Sequence, residues 1–477
     1  MKTLDILENL GNIHFIGIGG INMSGLAEIL HKDGYAITGS DKNHSENVQR
    51  LLDIGIDVKI GHAEQNLPQN CEIVVYNAAI PHDNAEIMAA KAKNLHLMDR
   101  AELLGRLMQN YGAAVCVAGT HGKTTTTSML AQIFMQDVFL QPAGTNKNPT
   151  VLSGGILPSM GGALRIGGRE LFVAEACEYH DSFLKFFPTT GIILNVEMDH
   201  SDYFTDIHAL RASFNAFAKK IPTEGLLIVN NEIDGLDELL DGVTCNIRTF
   251  GNDGDVRMET YGYNRGCAFG YLYVDDRLDG KFELGVPGDH NVQNAMAAVA
   301  CALHHGVDKL DIIRALRDFK GADRRFQIIG EYMGATIVDD YAHHPSEIAA
   351  TLSAAKNIHH RRLWAVFQPH TVNRTRQFLS EFAANLAAAD EIIIMDIYNP
   401  AGREDAENPV HARDLADKIK AIGIGSDVTY AESFDAAIFH INQGIRPGDM
   451  VVVMGAGNVS EMIGRMIEAR GQRPEVR

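Results

Sequence analysis

Ala113-Ala114-Val115-Cys116-Val117-Ala118-Gly119-Thr120-His121-Gly122-Lys123-Thr124-Thr125 is the stretch whose reading decides the fold. Its first six residues are apolar and have the length of one buried strand, and residues 128–134 beyond it read as a helix. A glycine turn between such a strand and a helix gathers backbone N–H groups at the positive end of the helix dipole, which suits a phosphate. The Lys123 ammonium is then placed for β/γ oxygens, and the Thr124 hydroxyl for Mg²⁺. The strict P-loop spacing wants glycine at 117, where Val117 stands, so the loop is a shortened variant. A purely structural turn has no need of the lysine. Gly119, Thr120, His121, Gly122, Lys123, Thr124 and Thr125 are therefore expected to bind ATP, within a central P-loop-type mononucleotide-binding domain.

Upstream, residues 14–18, 35–38 and 72–76 are short apolar runs separated by helix-like segments, the pattern of βαβ units on a parallel sheet. The first run ends in Gly17-Ile18-Gly19-Gly20-Ile21-Asn22-Met23-Ser24-Gly25, and 26–31 reads as a helix. The second ends in Gly39-Ser40-Asp41, with an acid roughly where a dinucleotide fold holds a ribose. Asn22 occupies the third glycine position of G-x-G-x-x-G, so the loop is dinucleotide-like rather than a proven nicotinamide site. Two readings stay open: a nucleotide diphosphate loop, or a tight turn without a ligand. Downstream, the run over 171–174 ends in Glu175-Ala176-Cys177-Glu178, and 191–196 ends in Glu197-Met198-Asp199-His200. Carboxylates at neighbouring strand ends sit beside a phosphate loop, and Glu175 with Thr124 offers the hard oxygens that Mg²⁺ takes. His200 is a softer donor, and a core or capping histidine is its plainer reading. Asn291 and Asn294 share a helix face and suit an adenine edge, or else one of them caps the helix.

Residues 251–285 are rich in Gly, Asp and Tyr and read as antiparallel hairpins. A third series of apolar runs covers 335–338, 363–367, 391–395 and 450–454. It carries Asp339-Asp340-Tyr341-Ala342-His343-His344-Pro345 and Gln368-Pro369-His370 at strand ends, with Arg374 next. Arg324-Arg325-Phe326 precedes it, as an arginine able to stabilise transferred phosphate or as a solvated pair. With joints at 109–112 and 320–325, the chain is expected to be α/β in three domains. These are a Rossmann-like domain over 1–110, the P-loop-type domain over 111–322 and a second Rossmann-like α/β domain over 323–477.

Composition narrows the function. The 477 residues carry 42 Lys+Arg against 61 Asp+Glu, a formal net charge of −19, which argues against a general nucleic-acid partner. Six cysteines without a C-x-x-C pair suggest neither a zinc site nor a disulfide framework. Asp5 and Glu8 stand where a signal peptide needs an apolar core, and no apolar run approaches the ~20 residues that span a bilayer. A cytoplasmic protein without membrane insertion or an obligate protein partner is expected.

In order along the chain, G-T-H-G-K-T-T, the Glu175 and His200 segments, H-N-V-Q-N-A, R-R-F and D-D-Y-A-H-H-P resemble the Mur ligases of peptidoglycan synthesis. The segments H-F-I-G-I-G-G-x-x-M-S-G-L-A and Q-P-H-T-x-x-R-T, with Tyr398-Asn399-Pro400-Ala401-Gly402, look like the branch that acts on UDP-N-acetylmuramate and L-alanine. The resemblance implies an ATP- and Mg²⁺-dependent ligation of L-alanine to the lactyl carboxylate through an acyl phosphate. It implies UDP-sugar contacts from Gly17, Ile18, Gly19, Gly20, Ser40 and Asp41, and a metal held by Thr124, Glu175 and His200. Asn291 and Asn294 would address adenine, while Arg325 and Asp340 complete the ATP site on closure. Tyr341, His343, His370 and Arg374 would receive the amino acid. The catalytic set implied is Lys123, Glu175, His200, Arg325, Asp340 and His343, with the general base either His200 or His343.

Two departures stand out. The acidic segment reads E-A-C-E-Y-H where many relatives have E-A-D-E-S-D, and Thr371 replaces an arginine after Q-P-H. The second removes a cation from the amino-acid pocket, so glycine or serine become competitors of alanine. The rival functions are a recycling ligase that attaches a whole peptide to UDP-N-acetylmuramate, a folylpolyglutamate synthetase, a nicotinamide-dependent dehydrogenase and a nucleotide-sensing module. The synthetase lacks the N-terminal sugar-nucleotide domain, and the dehydrogenase leaves Lys123 and Thr124 idle.

Overall fold

Five apolar runs build the first sheet: β1 (Asn12–Ile16), β2 (Ala36–Asp41), β3 (Asp57–Ile60), β4 (Ile73–Tyr76) and β5 (His96–Asp99). The strands are parallel in the order β3-β2-β1-β4-β5. The computed structural model describes residues 12–77, 79–136, 147–399, 410–423 and 425–471. Asp5, Glu8, Ala78 and the Pro400-Ala401-Gly402 part of the family-like segment lie outside them. Helices α1 (Ile21–Lys32), α2 (Glu46–Asp53), α3 (Ala85–Ala92) and α4 (Arg100–Met108) connect and flank these strands. Three start on a side-chain cap: Ser45 accepts from Val48 N, Asn84 from Glu86 N, and Asp99 from Ala101 N and Glu102 N. Such a cap stabilises a helix by about 1 kcal/mol. The strand expected over 35–38 runs on to Asp41, with Ser40 opposite Ile16. Gly39 is therefore a close approach of two backbones rather than a turn, since a Cβ there would press on Phe15 O and Ile18.

The second sheet contains β6 (Ala113–Ala118), β7 (Thr150–Leu157), β8 (Gly162–Arg165), β9 (Leu171–Glu175), β10 (Thr190–Ile193), β11 (Leu226–Asn230) and β12 (Asn246–Phe250). They run in the order β12-β11-β10-β6-β9-β7-β8, parallel except for β8. α5 (Lys123–Gln136) follows β6, and α6 (Ile207–Ala218) and α7 (Leu236–Leu240) follow β10 and β11. The chain leaves β9 on one side of β6 and returns as β10 on the other. That reversal leaves a crevice at the carboxyl end of β6, where α/β sheets bind ligands. β13 (Val256–Asn264), β14 (Cys267–Val274) and β15 (Arg277–Pro287) follow as a ribbon. Its two turns, Arg265-Gly266 and Asp275-Asp276, all have positive φ, as tight hairpins need. α8 (Asp289–His304) and α9 (Lys309–Asp318) come next.

The third sheet contains β16 (Gln327–Tyr332), β17 (Ala335–Asp340), β18 (Leu363–Phe367), β19 (Glu391–Met395), β20 (Asp427–Ala431) and β21 (Met450–Met454). Its order is β16-β17-β21-β18-β19-β20, parallel except for β16. Apolar clusters cover both faces, around Phe367 and Phe382 on one and Trp364 and Met462 on the other.

The chain divides into two compact units. One runs to Arg257 and includes Tyr273–Arg277 and Asn294–Ala315; the other takes Met258–Leu272, Leu278–Gln293 and everything from Leu316. The stretch 109–112 lies inside the first unit, whose main core runs continuously from Ile13 to Cys245 and joins the first two sheets. No described helix is long and apolar enough to cross a membrane.

Candidate active site

Residues 119–122 turn the chain from β6 into α5, with Gly119 at φ +141° and Gly122 at φ +83°. A Cβ on Gly119 would press against Leu194, and one on Gly122 would overlap the Asn294 carboxamide. The loop is fixed from β10's side. Asn195 Oδ1 accepts from His121 N (2.8 Å), its Nδ2 donates to His121 O (3.2 Å), and Thr120 exchanges hydrogen bonds with the Glu197 backbone (both 3.0 Å). These bonds fix the loop at the N-terminus of α5, the end of a helix that suits a phosphate.

Lys123 Nζ donates to Gly119 O, to Thr120 O (3.0 Å) and to Glu178 Oε2 (3.0 Å). Burial opposes the ammonium's charge, but the neighbouring Glu178 carboxylate outweighs it and holds the pKa above that of an ordinary lysine. Thr124 Oγ1 donates to Glu175 Oε2 (3.1 Å), and Ser153 Oγ to Glu175 Oε1 (3.2 Å). Glu178 is 1% exposed and also lies 3.7 Å from His200 Nε2. His200 stacks on Tyr179, ring centroids 4.4 Å apart, and Tyr179 Oη donates to Asp202 Oδ2 (2.5 Å). His180, Asp181 and His200 all have φ between +51° and +53°. Three non-glycine residues in that region beside one loop mark strain of the kind concentrated at functional sites.

The glycine loop after β1 lies in the same unit. Gly17 N and Ile18 N donate to Ser40 O (2.8 and 3.0 Å), and Gly19 N to Asp41 Oδ2 (2.8 Å). Gly20 caps α1 without a side-chain bond. The Ser40 hydroxyl faces inward, donating to Glu86 Oε2 (2.7 Å). Glu86 is wholly buried and also receives Ala63 N (3.1 Å), Asn66 Nδ2 (2.7 Å) and a bond with His14 Nε2 (3.1 Å). Burial pushes its pKa up, yet the hydrogen bonds from His14, Ser40 and Asn66 win and hold it at about 2.

The second unit carries its own cluster. Asp340 accepts from Phe326 N and Ala342 N (2.7 Å each), and burial, against the Arg325 charge, pushes its pKa up to about 6. The Arg324 and Arg325 guanidinium groups both lie 5.0 Å from the Tyr341 ring. The Tyr341 and His343 rings are 5.3 Å apart, and those of His343 and His370 5.9 Å. Arg374 reaches His370 Nδ1 at 3.5 Å. Asn291, buried, donates to Pro287 O (2.7 Å).

Three family descriptions match successive parts of this chain: the catalytic domain of the Mur ligase family over residues 12–112, the Mur ligase middle domain over 117–302, and the glutamate ligase domain of Mur ligases over 324–457. This chain belongs to the Mur ligase family. Among curated relatives of this Mur ligase, UDP-N-acetylmuramate–L-alanine ligase from Caldanaerobacter subterraneus subsp. tengcongensis is 44% identical, over 97% of this chain and 98% of its own. The enzyme of the same name from Clostridium novyi is 43% identical, over 97% and 98%. Among solved structures, UDP-N-acetylmuramate–alanine ligase from Thermotoga maritima gives a TM-score of 0.79 at 27% identity, covering 96% of this chain and 99% of that one. A murein peptide ligase from Psychrobacter arcticus gives 0.69 at 26%, covering 98% and 100%.

The Mur ligase structure brings together Lys123, Thr124, Glu175 and His200 in one unit, with Asn294 against Gly122. It gathers Arg325, Asp340, Tyr341, His343, His370 and Arg374 in the other. The Ser40 hydroxyl donates to Glu86 and its carbonyl accepts from the glycine loop. Asn195 was not anticipated, although an asparagine ending the strand beside a phosphate loop is a readable signal. Glu86 gave none, because its partners come from three separate segments of sequence, at His14, Ser40 and 63–66.

Proposed function

We infer that this Mur ligase joins L-alanine to the lactyl carboxylate of UDP-N-acetylmuramate in an ATP-driven reaction that releases ADP and phosphate, a step of cytoplasmic peptidoglycan precursor synthesis. The observation that carries this reading is the 44% identity, over 97% of the chain, to an enzyme of that name. A peptide ligase of wall recycling is the second reading, supported by the structural likeness to the murein peptide ligase at 26% identity.

On this reading residues 1–110 hold the sugar nucleotide, 111–322 hold ATP, and 323–477 supply the amino-acid pocket. The lactyl carboxylate attacks the γ-phosphorus, the phosphoanhydride bond breaks and ADP leaves. The alanine nitrogen then attacks the acyl carbon, and the C–O bond to phosphate breaks as the amide forms. The first step brings two anions together, and Lys123 neutralises part of that repulsion. Thr124 and Glu175 offer hard oxygens 3.1 Å apart, a donor pair that fits Mg²⁺ with His200 as the third candidate ligand. Bound there, Mg²⁺ supplies charge neutralisation on the phosphate oxygens. The ammonium proton of alanine needs a base, and His200 and His343 are the two candidates. Asn291 and Asn294 are assigned to adenine, Arg325 and Asp340 to completing the ATP site. Tyr341, His343, His370 and Arg374 are assigned to the amino acid, and Gly17, Ile18, Gly19, Gly20, Ser40 and Asp41 to the UDP moiety.

The test is phosphate release from Mg–ATP with UDP-N-acetylmuramate and, separately, L-alanine, glycine, L-serine or a wall tripeptide. Release with alanine, and a product heavier by one alanyl residue, is expected. Release with the tripeptide alone would move the chain to recycling.

A further inference from the structure

Helix α10 (Pro345–Lys356) follows the carboxyl end of β17, and its start is fixed by a capping box between His344 and Glu347. Glu347 Oε2 accepts from His344 N (3.2 Å), which is all that the cap asks of it. The same oxygen also accepts from His343 N (3.0 Å) and lies 3.1 Å from His343 Nδ1. Nδ1 is in addition 3.0 Å from the carbonyl oxygen of Tyr341. A carbonyl oxygen only accepts, so Nδ1 carries the proton of this hydrogen bond. In the neutral ring the lone pair then stands on Nε2.

Among the described residues Nε2 has no hydrogen-bond partner, and it is not sealed from solvent, since the His343 side chain is 19% exposed. The ring stands among the residues assigned to the amino acid. The Tyr341 ring is 5.3 Å away and the His370 ring 5.9 Å, and Arg374 approaches His370 in turn. An arginine for the carboxylate of alanine and an open ring nitrogen for its ammonium thus follow β18 and β17, the strands on either side of β21. His200 is placed differently. Its Nε2 lies 3.7 Å from Glu178 Oε1 and 3.7 Å from Asp199 Oδ2, a setting of carboxylates that suits its assignment to a cation.

We propose that Glu347 is a positioning residue for His343, holding Nδ1–H so that Nε2 is the base that deprotonates the alanine ammonium. This rests on the reading that alanine is the nucleophile, and takes one of its two candidate bases. Nε2 accepts one proton from the ammonium, and the freed lone pair forms the C–N bond to the acyl carbon. The departing phosphate takes the second N–H proton as its C–O bond breaks, and the proton on Nε2 passes to water. A carboxylate against Nδ1–H fixes the ring and stabilises the imidazolium as it forms. The test uses the full chain with Mg–ATP and UDP-N-acetylmuramate, as wild type, Glu347→Gln, His343→Gln and the double variant. Two nucleophiles are compared: L-alanine, and hydroxylamine, which is uncharged at neutral pH and needs no base. The glutamine at 347 keeps an oxygen for the helix cap but removes the charge. Glu347→Gln is expected to lower kcat with alanine at least about tenfold, a share of the about 10²–10⁴-fold that a positioned base contributes. KM for alanine, hydroxamate formation and the thermal midpoint should stay near wild type. His343→Gln loses more with alanine, and adding Glu347→Gln to it brings no further loss, because the carboxylate acts through the ring. Equal losses with both nucleophiles mark a structural role and overturn the proposal. So do losses that multiply in the double variant, or unchanged turnover of alanine in Glu347→Gln. If wild type forms no amide from alanine, it is the functional reading that falls.

Discussion

Lys123 and Glu86 show how single side chains divide the work. Lys123 has four oxygens around its ammonium, two of them from Glu178, and stands ready-charged in a buried site. Lys123→Ala is expected to cut ligation at least about a hundredfold, as the loss of one preorganised donor to a developing charge does. UDP-N-acetylmuramate binding, measured without ATP, should stay near wild type. Glu86 works for the fold. An acid whose folded pKa lies below its unfolded value stabilises the native state above the unfolded value and loses that as pH falls. With about 2 against an ordinary 4.5, the contribution of Glu86 is complete above about pH 5 and is lost progressively towards pH 2. That difference amounts to about 3 kcal/mol. Glu86→Gln should therefore melt well below wild type at pH 7, with the gap narrowing at pH 4. A gap independent of pH would show that the ionised carboxylate is not what the network needs.

At the scale of elements, the strands and their loops were readable because buried parallel strands leave continuous apolar runs, and glycine-rich turns follow them directly. The readable part covered β1, β6, β9, β10 and β17 and the residues at their carboxyl ends. What escaped depends on chain segments far apart in sequence: the length of β2, set by packing of Gly39 on Phe15 and Ile18, and the grip of Asn195 on His121, 74 positions away. The seating of α4 on the 179–185 segment is of the same kind. Gly105 is the point of contact. Alanine there gains about 0.5–1 kcal/mol of helix propensity, but overpacking against Lys185 O costs about 1–3 kcal/mol. Gly105→Ala should accordingly lower the thermal midpoint, and a rise would mean that helix propensity wins.

For the molecule as a whole, the sequence offers a joint at 109–112, yet the main core runs across it. Apolar side chains from α4 fill the space over Phe183 and Phe186, so the first two sheets share one interior. Hydrogen exchange should then report a common opening free energy for β1 and β6, and saturating Mg–ADP should slow both. Early, independent exchange of β1 would show two separate cores.

The shared interior also has a meaning in time. Leu103, Leu104 and Leu107 belong to the first quarter of the chain, whereas Phe183 and Phe186, which cover them, come later. Translation at about 5–20 residues per second separates their synthesis by roughly 4–16 s. For that interval a row of leucines waits beside the ribosome for the segment that will bury it, and a pause within 110–180 would lengthen the wait. Slow codons or starvation at that place would expose the newborn chain to aggregation long before any ligand could protect it.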